Sequence, residues 1–147
     1  MLSIQISDIK DFMSHLLSKD TFDHFYFIEA SIKMGVSYQI QGRINEGFYD
    51  TSVEQTLNRE FCYWKEIRHR IFDIIKGKRL PLSCKIVLGL SKQSISYLIA
   101  HNNSSFREED IEGIYVNILY DPKNLLITTG ISYKNFSLDK SLEYAFD

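Results

Sequence analysis

Phe25–Gln41 reads FYFIEASIKMGVSYQIQ. Tyr26, Ile28, Ala30, Ile32 and Met34 recur at every second position, with Glu29, Ser31 and Lys33 between them. A period of two belongs to a strand, whose successive side chains point to opposite faces. Gly35 permits a tight turn, after which Val36, Tyr38 and Ile40 resume the apolar face and Ser37, Gln39 and Gln41 point outward. The stretch therefore predicts an antiparallel hairpin with one apolar and one polar face. Such a sheet needs helices on one side only.

Upstream, Leu2, Ile4 and Ile6 alternate as a short strand, and Ser7 reads as the N-cap of a helix carrying Ile9, Phe12, Met13, Leu16 and Leu17. Downstream, Phe61, Trp64, Ile67, Ile71, Phe72 and Ile75 recur at three- and four-residue steps. They predict a long helix over about Arg59–Lys76, ended by Gly77 and Pro81. Leu82, Cys84, Ile86, Leu88 and Leu90 alternate as a strand; Ser91 caps a short helix with Ile95, Leu98 and Ile99. Ile114–Tyr120 and Leu125–Tyr133 form a second hairpin about Asp121-Pro122-Lys123-Asn124, and Ser137 starts a last helix.

The predicted order, βαββ-α-βαββ-α, contains one pattern twice. We expect an α+β fold in one domain, 1–147, with an antiparallel sheet of about six strands and helices packed on one face. Its βα-hairpin halves lie at approximately 1–44 and 82–133, joined by a loop and long helix over 45–81. The predicted core comprises Phe12, Leu16, Ile28, Ile32, Ile40, Trp64, Ile71, Ile75, Ile86, Leu88, Val116, Ile118, Ile127 and Ile131.

The 147 residues are 44% hydrophobic with 2 Pro and 7 Gly, which excludes a low-complexity or disordered chain. A net charge of −2 excludes a polycation. Cys62 and Cys84 are too few for a disulfide framework or a four-cysteine zinc site and read as buried, reduced thiols. No apolar run spans a membrane, so the expected location is the cytoplasm, with no membrane partner.

Asp20-Thr21-Phe22-Asp23, Lys76-Gly77-Lys78-Arg79-Leu80-Pro81-Leu82-Ser83, Thr128-Thr129-Gly130 and Leu138-Asp139-Lys140-Ser141-Leu142-Glu143 resemble a Firmicute-type bacterial family, domain of unknown function 5721, over the full length. That resemblance implies no chemistry. The element order and the passage Ile86-Val87-Leu88-Gly89-Leu90-Ser91 also resemble the domain of a DNA sliding clamp. This second resemblance implies paired β-α-hairpin units with helices facing DNA.

His15, His24, His69 and His101 show neither His-Glu-x-x-His nor Cys-x-x-Cys spacing, so no metal ligand or cofactor is expected. Glu108-Glu109-Asp110 reads as a solvated loop, and Asp20 with Asp23 as turn chemistry around Thr21. Gly130, in mid-strand, reads as a bulge or a close backbone approach. No catalytic residue is assigned.

Charge is the asymmetric feature. Arg59–Arg79 holds seven Lys and Arg against Glu60, Glu66 and Asp73, a window of +4 in an acidic chain. Lys65, Arg68, His69, Lys76, Lys78 and Arg79 are the candidate binding residues, with a nucleic-acid phosphate backbone or a protein of nucleic-acid metabolism as partner. The competing structural reading stacks Arg68 on Trp64 and lets Lys76, Lys78 and Arg79 answer the helix dipole. The expected function is a non-catalytic interaction module. Alternatives are a small enzyme assembled from His69, Arg43 and Asp23, or a homo-oligomer joined through a sheet face or edge.

Overall fold

The computed structural model describes residues 2–48, 59–101 and 107–134, with Glu143 and Phe146. One sheet holds β1 (Ser3–Gln5), β2 (Tyr26–Lys33), β3 (Ser37–Gln41), β4 (Ser83–Gly89), β5 (Ile111–Tyr120) and β6 (Leu125–Tyr133). The strand order is β1-β6-β5-β4-β2-β3, with every neighbour antiparallel. Among the described residues the helices α1 (Ile9–Leu17), α2 (Trp64–Ile75) and α3 (Lys92–His101) join them. The fold is α+β, with the expected six antiparallel strands. The second half's strands, β4 to β6, lie side by side. In the first half β1 joins β6 at the far edge, with β6, β5 and β4 between it and β2. Element order recurs along the chain; strand pairing does not.

Short polar side chains set the boundaries. Asp8, not Ser7, caps α1 by accepting from the Asp11 amide at 3.0 Å. Its carboxylate also suits the positive end of the helix. Ser91 caps α3 through the Ser94 amide at 3.2 Å. The Asp121 carboxylate accepts from the amides of Lys123 and Asn124 and closes the β5–β6 turn. Glu143 and Phe146 are helical; Ser137 lies outside the described residues.

The alternating register puts Ile32, Cys84, Ile86, Leu88, Ile118, Tyr120 and Leu125 on one face, buried with Leu16, Leu17, Phe27, Trp64 and Ile71 of the covering elements. A second cluster, Ile95, Ile111 and Ile114, seats α3 against Leu90 and Ile131, farther along that same face. On the opposite face Glu29, Ser31, Lys33, Lys85 and Leu119 are exposed.

Four local expectations are corrected. The β2 register shifts between Phe27 and Glu29, so Phe27, not Ile28, is fully buried with Ala30 and Ile32. A bulge adds one residue and reverses the facing of everything before it. The long helix starts at Trp64, not Arg59. Phe61–Tyr63 is extended because its backbone pairs on both sides: the Phe27 amide donates to the Cys62 carbonyl at 2.8 Å, and the Cys62 amide to the Gly42 carbonyl at 2.9 Å. Leu82 precedes β4 and is exposed, so the inward alternation begins at Cys84. Gly130 sits in regular register opposite Tyr115, and a Cβ there would meet nothing within 4 Å. It is neither a bulge nor a close approach.

Candidate interaction surface

An α-helix turns about 100° per residue, so Lys65, His69 and Lys76 fall on one flank of α2, where all three are exposed. Arg68 lies at the border of the buried stripe. It does not stack on Trp64. Its guanidinium donates twice to the Asp23 carboxylate, at 2.9 and 3.2 Å, across a partly buried pair. The Trp64 indole is fully buried, donates its N–H to the Leu16 carbonyl at 2.8 Å and packs against Phe27. Lys76 pairs with Asp73 at 2.9 Å and lies over the Phe72 ring. Lys65 lies over the Tyr63 ring, 5.8 Å from its centre. Lys78 and Arg79 are exposed and meet no acidic partner among the described residues. Of the six predicted residues, Arg68 is therefore a structural ion pair and Lys76 a partly neutralised one. Among the described residues, Lys78 and Arg79 are the unpaired cations at the helix exit.

The fold supplies neighbours for that exit that charge counting alone does not reveal. Lys76 is already extended, and Gly77 follows at φ +149°, a conformation that favours glycine. Pro81 is buried as an anchor, while the leucines on either side of it point out. Lys33, at the end of β2, is paired with both Ser37 and Ser83, and its carbonyl accepts from the Leu82 amide at 2.8 Å. The β2–β3 turn thus lies beside the α2–β4 loop. Val36, Leu80 and Leu82 are 65%, 66% and 68% exposed there. Three open aliphatic side chains beside Lys33, Lys78 and Arg79 make this corner cationic and apolar at once. Lys33, Val36, Leu80 and Leu82 were not among the predicted site residues. The loop signals Gly77 and Pro81 bracket the leucines, and strand alternation hid the exposure of Leu82.

The residues proposed for a dispersed enzyme site do not converge. Asp23 is held by Arg68 on one border of α2, His69 faces solvent, and Arg43 lies toward the other border. There Arg43 pairs with Glu60, lies over the Phe61 ring and lines a cleft of about 310 Å³ with Cys62, Glu66 and Arg70. Burial and then the nearby Glu66 carboxylate push the Cys62 thiol up, while Arg59 partly opposes them. That favours the protonated thiol, which is not the nucleophilic form. No group of three His, Cys, Asp or Glu side chains is placed to hold a metal among the described residues. No helix among them is long and apolar enough to cross a membrane.

The fold and this corner define a single-sheet α+β protein with a mixed cationic and aliphatic surface. The chain belongs to the family described as "Family of unknown function (DUF5721)", which it matches over residues 15–147. No curated protein and no solved structure matches it.

Proposed function

We propose that this chain is an interaction module whose contact surface is the corner between the β2–β3 turn and the α2–β4 loop, and that its partner there carries phosphate. One observation carries the reading: Lys78 and Arg79 are exposed, without an acidic partner among the described residues, and turned off the helix at Gly77. Cations left unpaired in a chain of net charge −2 are available to an external anion, and phosphate contacts release condensed counterions. Trp64, the aromatic side chain of this region best suited to stacking, is buried, so contact runs to the backbone rather than the bases. The strand order lends no support to clamp geometry, in which the two halves would pair alike. Val36, Leu80 and Leu82 favour a second reading, a protein partner of nucleic-acid metabolism that offers acidic and apolar side chains together.

The test is a titration of labelled DNA and RNA duplexes at several salt concentrations. The wild type should bind weakly with a salt-dependent affinity. Lys78→Ala with Arg79→Ala should reduce the slope of log affinity against log salt by about two. No binding at low salt, or a slope unchanged in the double variant, contradicts the phosphate reading.

A further inference from the structure

Among the described residues β3 is the outer strand of the sheet, and its pairing with β2 fixes where its outward backbone groups point. At one end of that ladder the Met34 amide donates to the Val36 carbonyl at 3.0 Å; at the other the Gly42 amide donates to the Ile28 carbonyl at 2.8 Å. Antiparallel ladders alternate bonded and non-bonded pairs. With Ala30 opposite Ile40 and Ile32 opposite Tyr38, those two β3 residues bond inward to β2. Ser37, Gln39 and Gln41 therefore aim their amides and carbonyls away from the sheet.

Natural edge strands are blunted by charge, proline, bulges or short length. Ser37-Tyr38-Gln39-Ile40-Gln41 has no charge and no proline, pairs with β2 in unbroken register, and is exposed except at Ile40. The strand is also complementary to itself. An antiparallel copy centred on Gln39 sets Gln39 against Gln39, Ser37 against Gln41 and Tyr38 against Ile40. Tyr38 and Ile40 share the helix-bearing face of Ile32 and Ala30, so their pairing would continue that apolar face across the junction. The polar face would bring Ser37 and the two glutamines together, with no like charges apposed.

We propose that two copies of this chain pair antiparallel through β3, about a twofold axis at Gln39, so that their sheets run on as one. The other edge, β1, has only three residues, so a β1-to-β3 contact that could build rings or filaments offers fewer backbone bonds. A contact of two five-residue strands is small, and the dimer is expected to be a weak one.

Sedimentation equilibrium of the whole chain up to about 500 µM tests this, because a ~100 µM dimer is mostly formed there. The expected result is a monomer–dimer equilibrium weakened at least tenfold by Gln39→Pro, which removes an outward amide, and by Gln39→Lys, which puts two ammonium groups on the axis. Circular dichroism checks that each variant is folded; if Gln39→Pro is not, Gln39→Lys decides. A monomer at the highest concentration, a dimer unmoved by the folded variants, or growth beyond a dimer overturns the proposal.

Discussion

Cys84 lies on the covered face of β4, in register with Ile32 and Tyr120, and its burial pushes the thiol up to about 12 from 9.0. In the unfolded chain the thiol ionises near the lower value while the folded one stays neutral. Between about pH 9 and 12 the unfolded state therefore gives up a proton that the native state keeps, and stability falls as pH rises. The loss approaches about 1.4 kcal/mol per pH unit for this one group. Burial also raises the phenols of Tyr26, Tyr115 and Tyr120, so the decline should steepen once tyrosines ionise in the unfolded chain. Cys84→Ala should lower stability at pH 7 through the lost contact, yet make the decline from pH 9 to 10 shallower. Urea denaturation across that range measures both effects, and an unchanged slope would place the titrating group elsewhere.

The extended segment before α2 explains how the longest helix meets the sheet. Residues 60–64 bond to the start of β2 on one side and to Gly42–Ile44 on the other, which the Phe27–Glu29 register shift accommodates. The approach is so close at Gly42 that an added Cβ would stand 1.8 Å from the Phe27 carbonyl oxygen. Gly42→Ala should cost about 3 kcal/mol or more, because a backbone atom cannot step aside as a side chain can. Chemical denaturation measures this, and a near-neutral result would contradict the described pairing. The same segment marks where sequence periodicity stopped being informative. The hairpins, the Ser91 cap and the α2 stripe from Trp64 to Ile75 were legible, because each rests on local alternation or a capping side chain. The apolar character of Phe61 fits a helix or a strand equally well, and the backbone partners that chose the strand, Phe25–Phe27 and Gly42–Ile44, lie far earlier in the chain. Helical spacing put Arg68 inside the stripe, one turn from Trp64; its partner Asp23 is a tertiary contact that no spacing encodes.

For the whole molecule, a sheet covered on one face sorts its surface by position rather than by composition. α2 starts beside the beginning of β2 and β4 starts beside its end, so the α2 exit, the start of β4 and the β2–β3 turn meet at one end. That meeting converts a modest excess of Lys and Arg into a defined corner, and it adds Val36, Leu80 and Leu82, which no charge count could find. The central claim is that this corner is where a phosphate-bearing partner docks. Amide chemical-shift mapping of the isotopically labelled chain, titrated with a short DNA duplex at low salt, tests it most directly. The account predicts progressive shifts concentrated in residues 33–36 and 76–82, reduced in the Lys78→Ala, Arg79→Ala double variant. Shifts centred on the open sheet face or on the cleft beside Arg43 and Arg70, with residues 76–82 unmoved, would contradict it.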